Sequence, residues 1–184
     1  MKNDELHISK ETYSGFIKLA GYQIIGGAIG IAIIIWLVNK TADITAASVL
    51  LLTLMMLLFS FSFFCGVRLI QAKAGALKLS LINQCLQVFG FAILGYAFNY
   101  VAGLYLSVEF DLTEAVNIHV GFGISKFALQ LNSDSATTAF SFNIIALLVI
   151  FWISKLMKEV KTEMEIDKAA TIGTDVIPEN IENC

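Results

Sequence analysis

Apolar and charged positions fall in blocks along this chain. Leu19–Asn39, Ile44–Val67, Leu79–Val108 and Ser135–Ser154 contain no charged residue. A helix needs about 20 predominantly apolar residues to cross a ~30 Å hydrocarbon core, and each window meets that length. The pattern predicts an all-α membrane fold, a four-helix transmembrane bundle, with spans at about 16–38, 46–70, 76–105 and 136–167. Residues 1–168 form this domain, and 169–184, with the only proline and little periodicity, read as a disordered cytoplasmic tail.

Between the third and fourth windows the period changes. Leu106, Val108, Phe110 and Leu112 alternate with Ser107, Glu109, Asp111 and Thr113. Val116, Ile118, Val120, Phe122 and Ile124 alternate with Asn117, His119, Gly121, Gly123 and Ser125, and Phe127, Leu129 and Leu131 continue out of phase. Strict alternation is the signature of half-buried strands. Residues 106–134 are therefore expected to form a small extracytoplasmic β-hairpin or three-stranded cap between helices 3 and 4.

Within the helices the polar and small residues are not scattered. Gly26, Gly27 and Gly30 in the first window provide small-residue spacing that lets another helix approach closely. Ser80, Asn83, Gln84 and Gln87 fall at 3–4 spacing on the cytoplasmic half of the third helix, with Asn99 further out. That intramembrane stripe serves either to pack the bundle or to line a lumen. Beyond Trp152, the apolar positions Ile153, Leu156, Val160 and Met164 recur among charges, which predicts a rod continuing into the cytoplasm.

Charge then sets the orientation. Lys2, Lys10, Lys18, Arg68, Lys73, Lys78, Lys155, Lys158, Lys161 and Lys168 fall on one side of a four-span topology, and only Lys40 and Lys126 on the other. The positive-inside rule puts both termini in the cytoplasm, with Arg68, Lys73 and Lys78 at the cytoplasmic interface. The first apolar run is longer than the core of a signal peptide and is expected to remain as an anchor. The Lys-, Ile- and Asn-rich composition suggests a bacterial inner membrane. Cys65 and Cys85 lie in spans and Cys184 ends the chain, so no disulfide framework is expected.

Candidate chemistry is sparse. His7 and His119 are the only histidines and neither lies in a span, and no span holds an Asp or Glu. Paired-histidine haem ligation, carboxylate-coupled ion transport and metal binding at Cys/His spacing are all unsupported, so neither cofactor nor metal is expected. No basic stripe marks nucleic acid as a partner. The expected partners are the lipid bilayer and a membrane protein or further copies of this chain. The first reading is a non-catalytic accessory, regulatory or interaction subunit, with self-association through the glycine-rich first helix as one form of it. A second is an oligomeric pore lined by the third-helix stripe. The weakest is an envelope- or lipid-modifying enzyme using Glu109, Asp111, Glu114, His119 and Asp134.

Overall fold

A computed structural model describes residues 6, 8–40, 45–130 and 137–174. It contains helices α1 (Lys10–Lys40), α2 (Ala46–Ile70), α3 (Ala76–Val88) and α4 (Ile144–Thr174). Strands β1 (Phe89–Ile93), β2 (Tyr96–Asp111), β3 (Asn117–Gln130) and β4 (Ala139–Asn143) form one antiparallel sheet in the order β1-β4-β2-β3.

The four-helix bundle expected from the sequence is overturned. Among the described residues, only α1 and α2 are long and apolar enough to cross a membrane. The third window breaks at Phe89 because Phe-Gly-Phe-Ala-Ile offers aromatic and β-branched side chains to a pleated surface and puts a glycine inside any continuing helix. β1 then turns into β2 through Leu94 (φ 51°) and Gly95 (φ 82°). Positive φ at both central residues is the two-residue turn whose twist matches a hairpin. The fourth window also starts as a strand: Phe140 and Phe142 alternate with Ser141 and Asn143 before α4 begins at Ile144. A charge-free run is thus compatible with strands as well as with a span. The expected cap is likewise larger and earlier, since its strands begin at Phe89 rather than at Leu106.

α1 and α2 form an antiparallel pair closed by small residues. A Cβ on Gly30 would collide with the Phe59 ring, and one on Gly27 would stand 2.8 Å from the Phe59 carbonyl oxygen. Toward the other end, a Cβ on Gly66 would come within 2.9 Å of the Ala20 carbonyl oxygen. The two halves of this pair meet different partners. At the N-terminal end, Phe16, Leu19, Ala20 and Leu69 interlock with Ala76 and Leu77 of α3 and with Val149, Ile153, Leu156 and Val160 of α4. At the end where α1 turns toward α2, Ile34, Met55 and Phe59 instead pack on Tyr100 and Ala102 of β2, with Phe98, Phe127 and Leu129 around them.

The sheet reaches that position by folding back on itself. Ala97 pairs with Ala92, Ala92 with Ala139, and Ala139 with Asp111, so β2 occupies the same row twice. β2 bends at Ala102–Gly103, where the register to β3 slips between Val101 and Leu104. Gly103 has φ 112°, and Ser125 opposite it on β3 has φ 48°. The bend rests on α1: a Cβ on Gly26 would run into the Gly103 backbone, and Ser125 Oγ donates to the Gly26 carbonyl at 3.0 Å. The out-of-phase step read at Phe127 is this bend. The result is a curled sheet with Asn99 and Ser141 on its inner face and a row of Phe98, Phe91, Phe140 and Phe110 on its outer face.

Candidate functional site

The third-helix stripe forms the floor of the site. Ser80, Asn83, Gln84 and Gln87 are at most 1% exposed; Ser80, Asn83 and Gln87 bond to α1, α2 and β2, whereas neither side-chain amide atom of Gln84 has a hydrogen-bond partner among the described residues. Ser80 Oγ donates to Gln23 Oε1 (3.2 Å), Asn83 Nδ2 donates to Ser62 Oγ (3.1 Å), and Ser62 Oγ donates to the Gln23 carbonyl (3.3 Å). Tyr100 Oη donates to the Leu58 carbonyl at 2.8 Å, with Asn83 Oδ1 also nearby at 3.2 Å. This network ties α1, α2, α3 and the sheet together at the middle of the helix pair, where each unmet polar group would be costly. Gln23 and Ser62 were not singled out from sequence; their only signal was a polar residue within an otherwise apolar window.

Asn99 is separated from the rest of the stripe. It sits on β2 inside the curl, donating from Nδ2 to Ser141 Oγ at 3.1 Å. A Cβ on Gly90 would stand 2.5 Å from that same Ser141 oxygen, so the bridge needs a glycine beside it. The curl encloses a cavity of about 100 Å³ bordered by Asn99, Ser141, Ala97, Ala128 and the ion pair between Lys126 Nζ and Glu109 Oε2 (3.8 Å). At its base Gln87 Oε1 accepts from the Ala102 amide (2.9 Å) and Asn143 Oδ1 accepts from the Ile145 amide (3.2 Å). These bonds fix both amide orientations and leave Gln87 Nε2 and Asn143 Nδ2 as donors without a protein partner.

Outside the curl the surface is apolar. Leu104, Leu106, Val108 and Phe110 of β2 lie opposite Ile124, Phe122, Val120 and Ile118 of β3. Ile118, Val120, Phe122 and Ile124 are 52–71% exposed. Among the described residues β3 pairs only with β2, so its other edge, over 117–130, carries no ladder. Neither the edge nor its position was visible in the sequence, although the alternation of β3 was.

No protein family, curated protein or solved structure matches the chain.

The remaining candidates are scattered. Gly27 and Gly30 lie against α2, whereas Gly26 receives the β2 bend. Arg68 stacks 5.9 Å from the Phe64 ring centroid and donates from Nη2 to the Ala74 carbonyl at 3.4 Å. Lys73 lies in the turn after α2 and Lys78 in the first turn of α3. Of the carboxylate–histidine candidates, Glu109 pairs across strands with His119 and bonds Lys126. The Thr113 hydroxyl (2.6 Å) and amide (2.9 Å) donate to Asp111 and hold its carboxyl below the usual range. Glu114 lies in the exposed turn after β2, and Asp134 lies outside the described residues. No group of three or more His, Cys, Asp or Glu that could hold a metal occurs among the described residues.

Proposed function

We propose that this is an integral membrane protein, anchored by α1 and α2, that acts through protein–protein contacts of its curled sheet rather than through catalysis. The observation that supports this most is the unpaired β3 edge beside an exposed apolar face. Unladdered backbone groups are not tolerated against lipid, and a free strand edge recruits another strand. The sheet flanks Ile34, Met55 and Phe59, residues of the two helices able to span. Its edge therefore lies at membrane depth and is completed by a strand from a second copy or a partner subunit. In this reading the membrane is a bacterial inner membrane. The described termini lie on the cytoplasmic side with Lys10, Lys18, Arg68, Lys73 and Lys78, while Lys40 lies opposite and Lys126 is paired with Glu109 in the curl.

The buried stripe then ties the helices to the sheet. The pore reading keeps one favourable observation: Asn99 borders the cavity in the curl and also a second one of about 10 Å³ that Gln87 lines.

Single cysteines in a background lacking Cys65, Cys85 and Cys184 test the proposal in native membranes. Val120→Cys on β3 should crosslink to another subunit with a short bismaleimide, and Leu57→Cys on the exposed face of α2 should not. A monomeric native mass combined with no crosslink at Val120 would sink the reading.

A further inference from the structure

At the N-terminal end of the molecule, away from the sheet, α3 and α4 border a groove of about 440 Å³. Its walls are apolar, formed by Leu6, Leu77, Met157, Val160 and Met164, and two of them are unbranched methionines that adapt to an irregular chain. Three ammonium groups rim it: Lys73 from the turn after α2, Lys78 from α3 and Lys161 from α4. No acidic side chain lines it, although Lys161 Nζ also reaches Glu165 Oε1 at 3.7 Å.

A fourth source of positive potential enters from the backbone. α3 begins at this groove behind Gly75 (φ 80°), which supplies no side-chain cap, and its first turn holds no acidic residue. The Ala76 amide is used by the Lys73 carbonyl. The amides of Leu77 and Lys78 have no carbonyl one turn back, as in any helix start, and they carry the positive end of the helix dipole. A helix of this kind favours an oxyanion at its start, and lysines strengthen that preference.

The groove also sits at the right height. It lies where the charge-free stretches of α1 and α2 end, next to Arg68 and the interlocked residues Phe16, Leu69 and Val160. An occupant there needs one charged end at the interface and one apolar end toward the hydrocarbon.

We propose that this groove binds an anionic phospholipid of the leaflet at the N-terminal end. Its phosphate rests at the start of α3 between Lys73, Lys78 and Lys161, and an acyl chain lies over Leu77, Val160 and the two methionines. The inference rests on the membrane reading above, and on the charge of the groove for its lipid class. A zwitterionic lipid carries its own cation into a site that already holds three, and is disfavoured.

The test uses the full chain reconstituted into phosphatidylcholine vesicles with and without phosphatidylglycerol. Spin-labelled phosphatidylglycerol and phosphatidylcholine report their relative association by electron paramagnetic resonance. Each lysine near an anionic headgroup contributes on the order of a fivefold preference. The wild type should select phosphatidylglycerol by about tenfold or more, and the combined Lys73→Gln, Lys78→Gln and Lys161→Gln variant should lose that selection. Lys155→Gln, on another side of α4, should retain it. Equal association of both lipids with a protein that resists carbonate extraction overturns the lipid site and leaves the anchor intact. Persistence of the selection in the triple variant also overturns it. A protein extracted by carbonate from both vesicle types overturns the membrane reading, and the lipid site with it.

Discussion

The two halves of the α1–α2 pair face the same problem and solve it differently. In the N-terminal half, Phe16, Leu19 and Leu69 are covered by α3 and α4, helices whose backbone bonds close within themselves. In the other half, Ile34, Met55 and Phe59 are covered by strands, whose bonds must close between segments. β1, β4 and both arms of β2 complete one another, but β3 is left with an outer edge. The helical half closes its backbone bonds internally, whereas among the described residues the outer edge of β3 carries no ladder. Association, on this account, is a consequence of replacing two half-helices by a curled sheet.

Substitutions at the seam between the halves break the comparison most severely. Gly26→Val drives side-chain atoms into the Gly103 backbone, which cannot rotate away. Overpacking of this kind costs about 3 kcal/mol, and detergent melts should show a protein that barely folds. Gln87→Leu should be next. It strands the Ala102 amide in a site where Gln87 is 1% exposed, for a loss of about 1–3 kcal/mol in chemical denaturation. Tyr100→Phe removes the hydroxyl that donates to the Leu58 carbonyl and lies 3.2 Å from Asn83 Oδ1; it should cost about 1 kcal/mol, loosening the sheet from α2 without unfolding α3 and α4.

The smallest effect belongs to the helical half. Desolvation at Glu163 opposes its charge, yet the Ser9 hydroxyl (2.6 Å) and amide (2.9 Å) and the Thr12 hydroxyl (2.7 Å) hold its carboxyl below the usual value. Ser9 also caps α1 through the Thr12 amide (3.2 Å), so the carboxylate fastens α4 to the start of α1. A depressed carboxyl stabilises the fold above its unfolded pKa, and the contribution is lost as pH falls through the lower folded value. The wild-type melting midpoint should therefore drop across the acidic carboxylate range by slightly more than that of Glu163→Gln. Equal pH profiles would show that the contact contributes nothing.

The sequence was most informative where a single physical constraint acts. Ala46–Ile70 reads directly as a helix because its apolar run, its Thr45 cap and the basic Arg68 at its end all agree. The alternation of β3 was equally plain, including the change of phase at Phe127. Reading failed where two elements share one charge-free window. Leu79–Val88 and Phe89–Val108 are both apolar, and hydropathy alone does not register that Gly90, Gly95 and Gly103 with four intervening aromatics favour pleated structure. The stripe was legible only within α3. Asn99 appeared to extend it, yet the change to strand carries that residue into the curl, opposite a Ser141 whose strand was read as helix.

The central claim is that residues 89–105 form strands alongside α1 and α2, which brings β3 to membrane depth. Magic-angle-spinning NMR of the full chain in bilayers tests both parts in one experiment. Strand-like carbon shifts at Phe91, Phe98 and Tyr100, with cross-peaks from the Phe122 ring to acyl methylenes, are predicted. Helical shifts throughout 89–105, with Phe122 in contact with water, would contradict the account.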